Sequence, residues 1–399
     1  MKKRIFSLAL IALLITAMLP VHAVAEPQSI NVYNWGQYIS DGTDGFIDVN
    51  AAFTEATGIE VNYMTYDSNE TLYTKLKTGG SAYDVIIPSD YMIARLIDEG
   101  LVQKLDFGNI PNYETIDEAY RNTSYDPTNE YSVPYTWGTV GIIYNSKYVD
   151  EADVGSWDLL WNEKYAGKIL MFDNPRDAFA ASEFLLGISI NSENADDLNA
   201  AADKLLEQKP LVQSYVMDQV YDKLGHEEAW IAPYYAGDYL MMLEDNADLA
   251  FCFPEEGFNL FIDAMCIPAN AQNKEGAEAY INFLCSPEIS AQNLEYLGYS
   301  VPSQAAADLL DPEVAADPIA YPDEDTLSRG VGFRYLSTET NQLMDSLWLN
   351  VKTSAVENES GSSMLFVAIG VVVAALVVFF LVRSSQIKKR KAARGRSAS

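Results

Sequence analysis

Short apolar runs alternate with amphipathic segments along the first hundred mature residues. Apolar positions two apart indicate strands, whereas apolar positions three and four apart indicate helices. The pattern predicts strands at 29–34, 59–63 and 84–88 and helices at 46–57, 67–77 and 91–98. Asp67 with Glu70 resembles a capping box for the second helix, and Ser89 precedes the third. This β-α-β-α-β order favours a parallel sheet covered by helices on both faces.

A second series of the same kind follows. Residues 133–144 are apolar and aromatic and predict a strand that leaves the first series, and residues 261–267 predict a return strand. Between them the pattern predicts strands at 169–172, 229–235 and 249–253 and helices at 176–187, 195–208 and 237–243. Helices at 274–285 and 287–298 and a helical tail with Pro interruptions, 305–349, complete the chain of elements. The sequence therefore predicts an α/β protein.

The N-terminus has the layout of a signal peptide. Lys2, Lys3 and Arg4 form a basic region ahead of the apolar residues 5–20, and the sequence Ala-Val-Ala at 23–25 fits a signal-peptidase site. We therefore expect residues 1–25 to be removed on export. No cysteine follows the apolar stretch, so a lipoprotein anchor is not indicated.

The C-terminus has the pattern of a single membrane anchor. Residues 364–382 contain no charged side chain and are long enough to span a bilayer as one helix. The segment 383–399 has basic residues and no acid, which favours a cytoplasmic tail. We expect a linker at 351–363 and a domain that lies outside the membrane.

The exported domain has a net charge opposite in sign to that of the two ends of the chain. The 399-residue chain has 57 acidic and 26 basic residues, and ten of the basic ones lie in the leader and the tail. All 57 acids lie between these ends, which leaves the exported domain with a formal charge of −41. Such a field attracts cations and repels phosphate backbones, so we expect no nucleic-acid binding.

Few residues favour catalysis or metal binding. His226 lies in LGHEEAW, which lacks the His-Glu-x-x-His spacing, and no nucleophile elbow or nucleotide-binding loop is present. A pair of glycosidase-type carboxylates is not excluded by composition. We expect no enzyme, no cofactor and no metal. The odd number of cysteines argues for free buried thiols, although pairing of Cys252 with Cys266 stays open.

Aromatic and acidic residues gather at predicted strand-to-helix junctions. In open α/β sheets ligands bind at the carboxyl ends of strands. Aromatic faces there attract ammonium groups, and carboxylates add charge-assisted hydrogen bonds. The aromatic residues at such junctions are Trp35, Tyr38, Tyr91, Tyr135, Trp137, Tyr234, Tyr235 and Tyr299, and the acids are Asp90, Asp177 and Asp263.

Several motifs resemble the spermidine/putrescine-binding proteins of bacterial ABC importers. They are YNWGQY (33–38), TYDSNETLYTKLK (65–77), YDVIIPS (83–89), VPYTWG (133–138), SWDLLW (156–161), IPANA (267–271) and LGY (297–299). The resemblance implies a type II periplasmic-binding fold with two crossover strands. One lobe would be 26–138 with 262–307, and the other 139–261 with 308–350. Closure of the lobes around a polyamine would present it to an ABC permease in the membrane.

The resemblance also implies a set of ligand-binding residues. Carried over by position, these are Trp35, Tyr38, Ser89, Tyr91, Asn174, Asp177, Tyr235, Phe261, Asp263 and Tyr299. The chain departs from the family pattern at Gly36, Asn174 and Phe261, where the family often has Thr, an acid and Trp. A glutamine of some members is not evident around Phe333. Asp90 could supply a compensating charge.

Two other function classes stay open at this point. One is a binding protein for another small solute, such as an amino acid, a sugar or a metal ion. Arg176 is the one basic residue near the predicted junctions, which disfavours a ligand with a carboxylate. The other is a sensory ectodomain, although the 17-residue tail is too short to contain a signalling domain.

Overall fold

The computed structural model describes residues 28–79 and 82–355. Described residues up to Leu349 belong to one compact unit, and those from Asn350 onward belong to a second. The predicted signal peptide, membrane span and basic tail lie outside the described residues. Within the described ranges, no helix is both long enough and apolar enough to cross a membrane.

A mixed sheet forms the centre of the first unit. The described residues contribute eleven strands, and the main path through the sheet runs β2-β1-β3-β10-β5-β8-β6-β7. Short strands β4 and β11 pair with β10, and β9 pairs with β5. The strands are β1 (Ser29–Trp35), β2 (Glu60–Tyr66), β3 (Val85–Ile86), β4 (Val102–Gln103), β5 (Ser132–Asn145), β6 (Ile169–Phe172), β7 (Val212–Val216), β8 (Ile231–Tyr235), β9 (Leu249–Cys252), β10 (Phe258–Pro268) and β11 (Gly330–Val331).

Thirteen α-helices are described, and most follow a strand directly. They are α1 (Val49–Thr57), α2 (Asn69–Thr78), α3 (Asp90–Asp98), α4 (Pro175–Leu186), α5 (Ala195–Gln208), α6 (Gln219–Gly225), α7 (Ala236–Met242), α8 (Lys274–Leu284), α9 (Pro287–Leu297), α10 (Gln304–Ala307), α11 (Pro312–Ala315), α12 (Glu324–Leu327) and α13 (Thr338–Thr353). Short 3₁₀ turns occupy much of the connection from β4 to β5 and the connection from β5 to β6.

The sheet has two parallel halves that are joined by two antiparallel strands. β1 pairs in parallel with β2 and β3, and β6 pairs in parallel with β7 and β8. The long strands β5 and β10 lie between these halves and are antiparallel to each other. β10 is antiparallel to β3, and β5 is antiparallel to β8. The strands of the two halves therefore run in opposite directions, which lets their carboxyl ends face one another.

An irregularity in the central pair lies where the ligand site forms. The register between β5 and β10 shifts between Asp263 and Ala264, opposite Thr136 and Pro134. Such bulges redirect side chains and are common beside functional sites. The shift accompanies a bridge between Asp263 and Ser89 and a hydrogen bond from the Ala264 N–H to the Pro88 carbonyl. It thereby brings Asp263 to the end of β3.

Several local predictions from the sequence differ from the structure. The second helix is capped by Ser68, whose hydroxyl accepts from the Thr71 N–H, rather than by Asp67. Ser89 precedes α3 but its side chain makes no capping hydrogen bond. The strand β7 and the helix α6 were missed, because polar Gln213 and Ser214 interrupt the apolar residues of the strand and four of its five residues are only half-buried. The three cysteines are free, and Cys252 and Cys266 lie on different strands, β9 and β10.

Candidate ligand-binding site

A cavity of about 680 Å³, part of it open to solvent, lies where the carboxyl ends of both parallel halves meet. Residues that follow β1, β2 and β3 line one side, and residues that follow β6, β7 and β8 line the other. The central strand β10 contributes Asn259, Phe261 and Asp263 to the lining. The loops that follow parallel strands lie at one edge of the sheet. For this reason polar and aromatic residues from distant segments of the chain converge here.

Eight of the lining residues are aromatic. Tyr299 meets Tyr38 edge-on, with ring centroids 5.1 Å apart, and Tyr235 meets Phe261 at 5.6 Å. Trp35 is held in place because its indole N–H donates to the Ile87 carbonyl at 2.8 Å. Ring faces and edges of this kind contact methylene groups and attract ammonium groups.

Asp263 is the most deeply enclosed acid of the cavity. Its side chain is 3% exposed, and its Oδ2 accepts a hydrogen bond from the Tyr38 hydroxyl at 2.8 Å. Its other oxygen, Oδ1, is buried and has no partner among the described residues. Burial raises the pKa of Asp263 to about 7, although the nearby hydroxyls of Ser89 and Tyr38 oppose this shift. A buried carboxylate oxygen with no donor is costly, so the site favours a cationic donor from a ligand.

Asp177 lies in the first turn of α4, the helix that follows β6. Its Oδ2 accepts from the Tyr235 hydroxyl and from the Asn174 amide, each at 2.9 Å. Asn174 also caps the helix, because its Oδ1 accepts from the Asp177 N–H at 2.9 Å. Burial raises the pKa of Asp177, and these two donors oppose that shift.

Asp238 forms a further acidic position at the start of α7. The hydroxyls of Tyr221 and Tyr299 both donate to its carboxylate. Burial raises the pKa of Asp238 to about 6, and the two tyrosine hydroxyls oppose the shift. Since Tyr299 also contacts Tyr38, a chain of aromatic rings links Asp238 to Asp263.

The lining is acidic throughout. Glu70 accepts from the Tyr91 hydroxyl at 2.9 Å through Oε1, while its Oε2 is buried without a partner among the described residues. Asp67 and Asp218 stand at the more exposed part of the lining. Six carboxylates therefore line the cavity, and none of its described lining residues is Lys, Arg or His.

Two charged residues near the cavity do not line it. Arg176 lies behind the lining, with its guanidinium carbon 4.4 Å from the Phe333 ring centroid and 5.1 Å from that of Tyr91. Its Nη2 donates to the carbonyls of Ile190 and Arg334, its Nε and Nη1 have no partner among the described residues, and Arg176 is not part of the cavity lining. Asp90 is 6% exposed but is not among the lining residues, and burial raises its pKa to about 8.

All ten residues predicted from the sequence line this one cavity. The sequence analysis missed other polar lining residues, although these too follow the carboxyl ends of strands. Asp238 closely follows β8, which was predicted, so its place at the end of a strand could have identified it. Asp218 follows β7, which was not predicted, so the same reasoning could not identify it. Asp67 directly follows β2 but was interpreted as a helix cap. No group of three or more potential metal ligands was found within the described residues.

Comparisons with known proteins agree with this architecture. The family model for bacterial extracellular solute-binding proteins matches residues 49–322. The spermidine/putrescine-binding periplasmic protein of Salmonella typhimurium is 36% identical over 314 residues, which cover 78% of this chain and 88% of that protein. The putrescine-binding periplasmic protein of Escherichia coli is 30% identical over 348 residues, covering 82% and 92%.

A solved structure extends the likeness to three dimensions. The spermidine/putrescine ABC transporter substrate-binding protein of Streptococcus pneumoniae is 38% identical to this chain and superposes with a TM-score of 0.68. The match covers 82% of this chain and 98% of that one. The mixed α/β sheet described above is therefore the fold of periplasmic binding proteins.

Proposed function

Because the chain belongs to the bacterial extracellular solute-binding proteins, and among them to the spermidine/putrescine-binding group, we propose that it binds a polyamine outside the cytoplasm for delivery to an ABC importer. The observation that carries this proposal is the cavity lining, which has six carboxylates, a wall of aromatic rings and no cationic side chain among its described residues. A polycation with an apolar chain matches both features.

The ten residues named from the sequence act as ligand contacts in this proposal. Asp263 offers its unpartnered Oδ1 to one ammonium group, and Asp177 adds a second carboxylate to the same lining. The rings of Tyr235, Phe261 and Tyr299 contact the methylene chain. A ligand with a carboxylate is disfavoured, because no described lining residue is basic and Arg176 lies outside the lining.

Lobe movement supplies the mechanism. In this proposal, residues 26–138 with 262–307 form one lobe, and residues 139–261 with 308–350 form the other. The ligand contacts come from both sides, so a bound polyamine stabilises the closed arrangement by its higher affinity for it. The permease then recognises the closed form. No catalytic step is required of any residue.

Anchoring at the membrane completes the proposal. The uncharged run 364–382 and the basic segment after it support a single C-terminal span with a cytoplasmic tail. Such an anchor keeps the binder near its permease at high effective concentration. Membrane fractionation tests this point: the full chain should sediment with membranes, and a chain that stops at residue 360 should be released.

Calorimetric titration of the purified full chain with putrescine, cadaverine, spermidine and spermine tests the central claim. We expect binding of at least one polyamine, weakened by at least about thirtyfold in Asp263→Asn, because a buried charge pair contributes about 2 kcal/mol or more. Glu55→Gln is the matched control, since Glu55 is exposed on α1, outside the cavity. Absence of binding to every polyamine at low salt would overturn the proposed function.

A further inference from the structure

Asp218 occupies space that a glycine on the opposite side of the cavity leaves empty. A Cβ added to Gly36 would lie 3.2 Å from the Asp218 Cγ and closer still to its Oδ2. Gly36 directly follows β1, and Asp218 follows β7, so the two residues come from opposite halves of the sheet. Any side chain at position 36 would therefore displace the Asp218 carboxylate from this part of the lining.

Asp218 and Asp238 make an acidic end of the cavity, which we call the outer pole. Asp177 and Asp263 make the other end, which we call the inner pole. Both poles line the same cavity, and aromatic rings separate them. Asp218 forms none of the salt bridges found among the described residues. Its charge therefore remains available to a cation in the cavity.

The inner pole shows what kind of ligand the cavity takes. Asp263 is 3% exposed, and its Oδ1 has no partner among the described residues, which marks a position for one ammonium group. The outer pole differs, because both Asp238 oxygens already accept from Tyr221 and Tyr299. The Asp218 carboxylate is thus the group at the outer pole that is left to receive a further ammonium group.

We propose that Asp218, admitted by the absence of a side chain at Gly36, selects polyamines with three or more amino groups over diamines. This inference rests on the proposed function and names the ligand class of the same cavity. A diamine satisfies the inner pole and leaves the outer pole short of positive charge. A triamine places its additional ammonium group beside Asp218, where opposite charge makes a charge-assisted hydrogen bond.

The position of Asp218 also links this selection to closure. Gly36 and Asp218 meet across the cavity, so a ligand held by Asp263 in the central strand β10 reaches Asp218 only when the two halves are together. A ligand that reaches Asp218 gains an interaction that exists in that arrangement alone, and it therefore stabilises the arrangement by the corresponding difference in affinity.

Two variants of the full chain distinguish the effect of the Asp218 charge from the effect of the position of its carboxylate. Asp218→Asn removes the charge, and Gly36→Ala keeps it but forces the carboxylate to rotate away. The backbone at Gly36 does not need the left-handed region, so alanine adds little strain there. Glu55→Gln is the control for charge, and Gly225→Ala is the control for the glycine, since its added Cβ meets only an ordinary contact at 3.7 Å.

Calorimetric titration with spermidine and putrescine gives the readout. We expect both variants to lose about tenfold in spermidine affinity, the effect of one charged hydrogen bond, with putrescine affinity changed by no more than about twofold. Equal losses for the two amines would show that Asp218 acts on closure alone and would overturn the inference. Unchanged affinity for both amines would also overturn it. If the unmutated chain binds none of putrescine, cadaverine, spermidine and spermine, the proposed function itself fails.

Discussion

Acidification is expected to weaken polyamine binding by neutralising carboxyl groups inside the cavity. Burial raises the pKa of Asp263 to about 7 and that of Asp238 to about 6 in the ligand-free protein. A polyamine binds the ionised forms, and its own amines stay protonated throughout this range, as lysine does. Protons and ligand therefore compete for the same cavity.

The size of the effect follows from the two pKa values. Asp263 is roughly 90% ionised at pH 8 and roughly 10% ionised at pH 6. Apparent affinity should therefore fall by about tenfold for each pH unit below 7. Below pH 6 the titration of Asp238 adds a second factor of the same size. From pH 8 to pH 5 the total loss should be roughly a thousandfold.

Titration calorimetry at several pH values provides the assay. Repeating each titration in buffers with different ionisation enthalpies counts the protons that are released when ligand binds. Near pH 7 we expect release of about half a proton from Asp263, because half of these groups are protonated before binding. Asp263→Asn should abolish that release, while the exposed-site control Glu55→Gln should preserve it.

Constant affinity between pH 8 and pH 6, with no proton release at pH 7, would refute the reasoning. That result would mean that Asp263 is ionised in the empty cavity in spite of its burial. The same result in Glu55→Gln would show that the discrepancy is a property of the cavity and does not arise from the overall surface charge.

The stability of the ligand-free protein should change with pH in the direction opposite to its affinity for polyamine. The folded-state pKa of Asp263 lies above its ordinary value of 3.8, so the folded state binds more protons between about pH 4 and pH 7. The contribution of this group to the free energy of unfolding therefore falls as pH rises through that range. At pH 8, Asp263→Asn should stabilise the ligand-free chain by up to about 4 kcal/mol, measured by chemical denaturation.

Two further substitutions test the packing that positions the aromatic wall. Gly237→Ala places a Cβ against the Tyr299 ring, well inside contact distance, so we expect a loss of about 1–3 kcal/mol in the free energy of unfolding and weaker polyamine binding. Asn293→Ala removes the acceptor of the Ser40 N–H and the donor to the Tyr135 hydroxyl. Because Asn293 is 1% exposed, we expect it to cost about 2–4 kcal/mol in thermal denaturation.

Each of these substitutions has a control of the same chemistry. Gly225→Ala adds a Cβ where the nearest atom is 3.7 Å away, and Asn199→Ala changes an exposed amide on α5. Full stability and full binding in Gly237→Ala would show that Tyr299 can move without loss. A change below about 0.5 kcal/mol in Asn293→Ala, the size typical of surface substitutions, would show that the buried hydrogen bonds contribute little.

The strand-to-helix junctions could be located from the sequence wherever the strand was buried. Apolar runs marked β1, β3 and β6, and the residues after them line the cavity. β7 lies at the edge of the strand order, and four of its five residues are only half-buried, so it lacks an apolar run. Asp218, which follows this strand, was therefore out of reach of sequence reasoning.

Only the tertiary structure shows that Asp263 lines the cavity and Asp90 does not. Both are acids at predicted junctions, and both are nearly inaccessible, at 6% and 3% exposure. Asp90 accepts from the Tyr91 N–H within its own helix and does not line the cavity, whereas Asp263 pairs with Tyr38 and does. A local pattern cannot distinguish them, because it contains no information about which neighbouring segment each carboxylate meets.

The sequence by itself determined which positions are buried, where most helices and strands lie, and which residue types stand at the ends of strands. These are local properties, since side-chain periodicity follows from the geometry of one element. The tertiary structure decided which polar groups share the cavity and which are left without a partner. Tyr38 and Asp263 are 225 residues apart in the chain, and their contact exists only because the sheet places β1 and β10 on the two sides of β3, close to the register shift in β10.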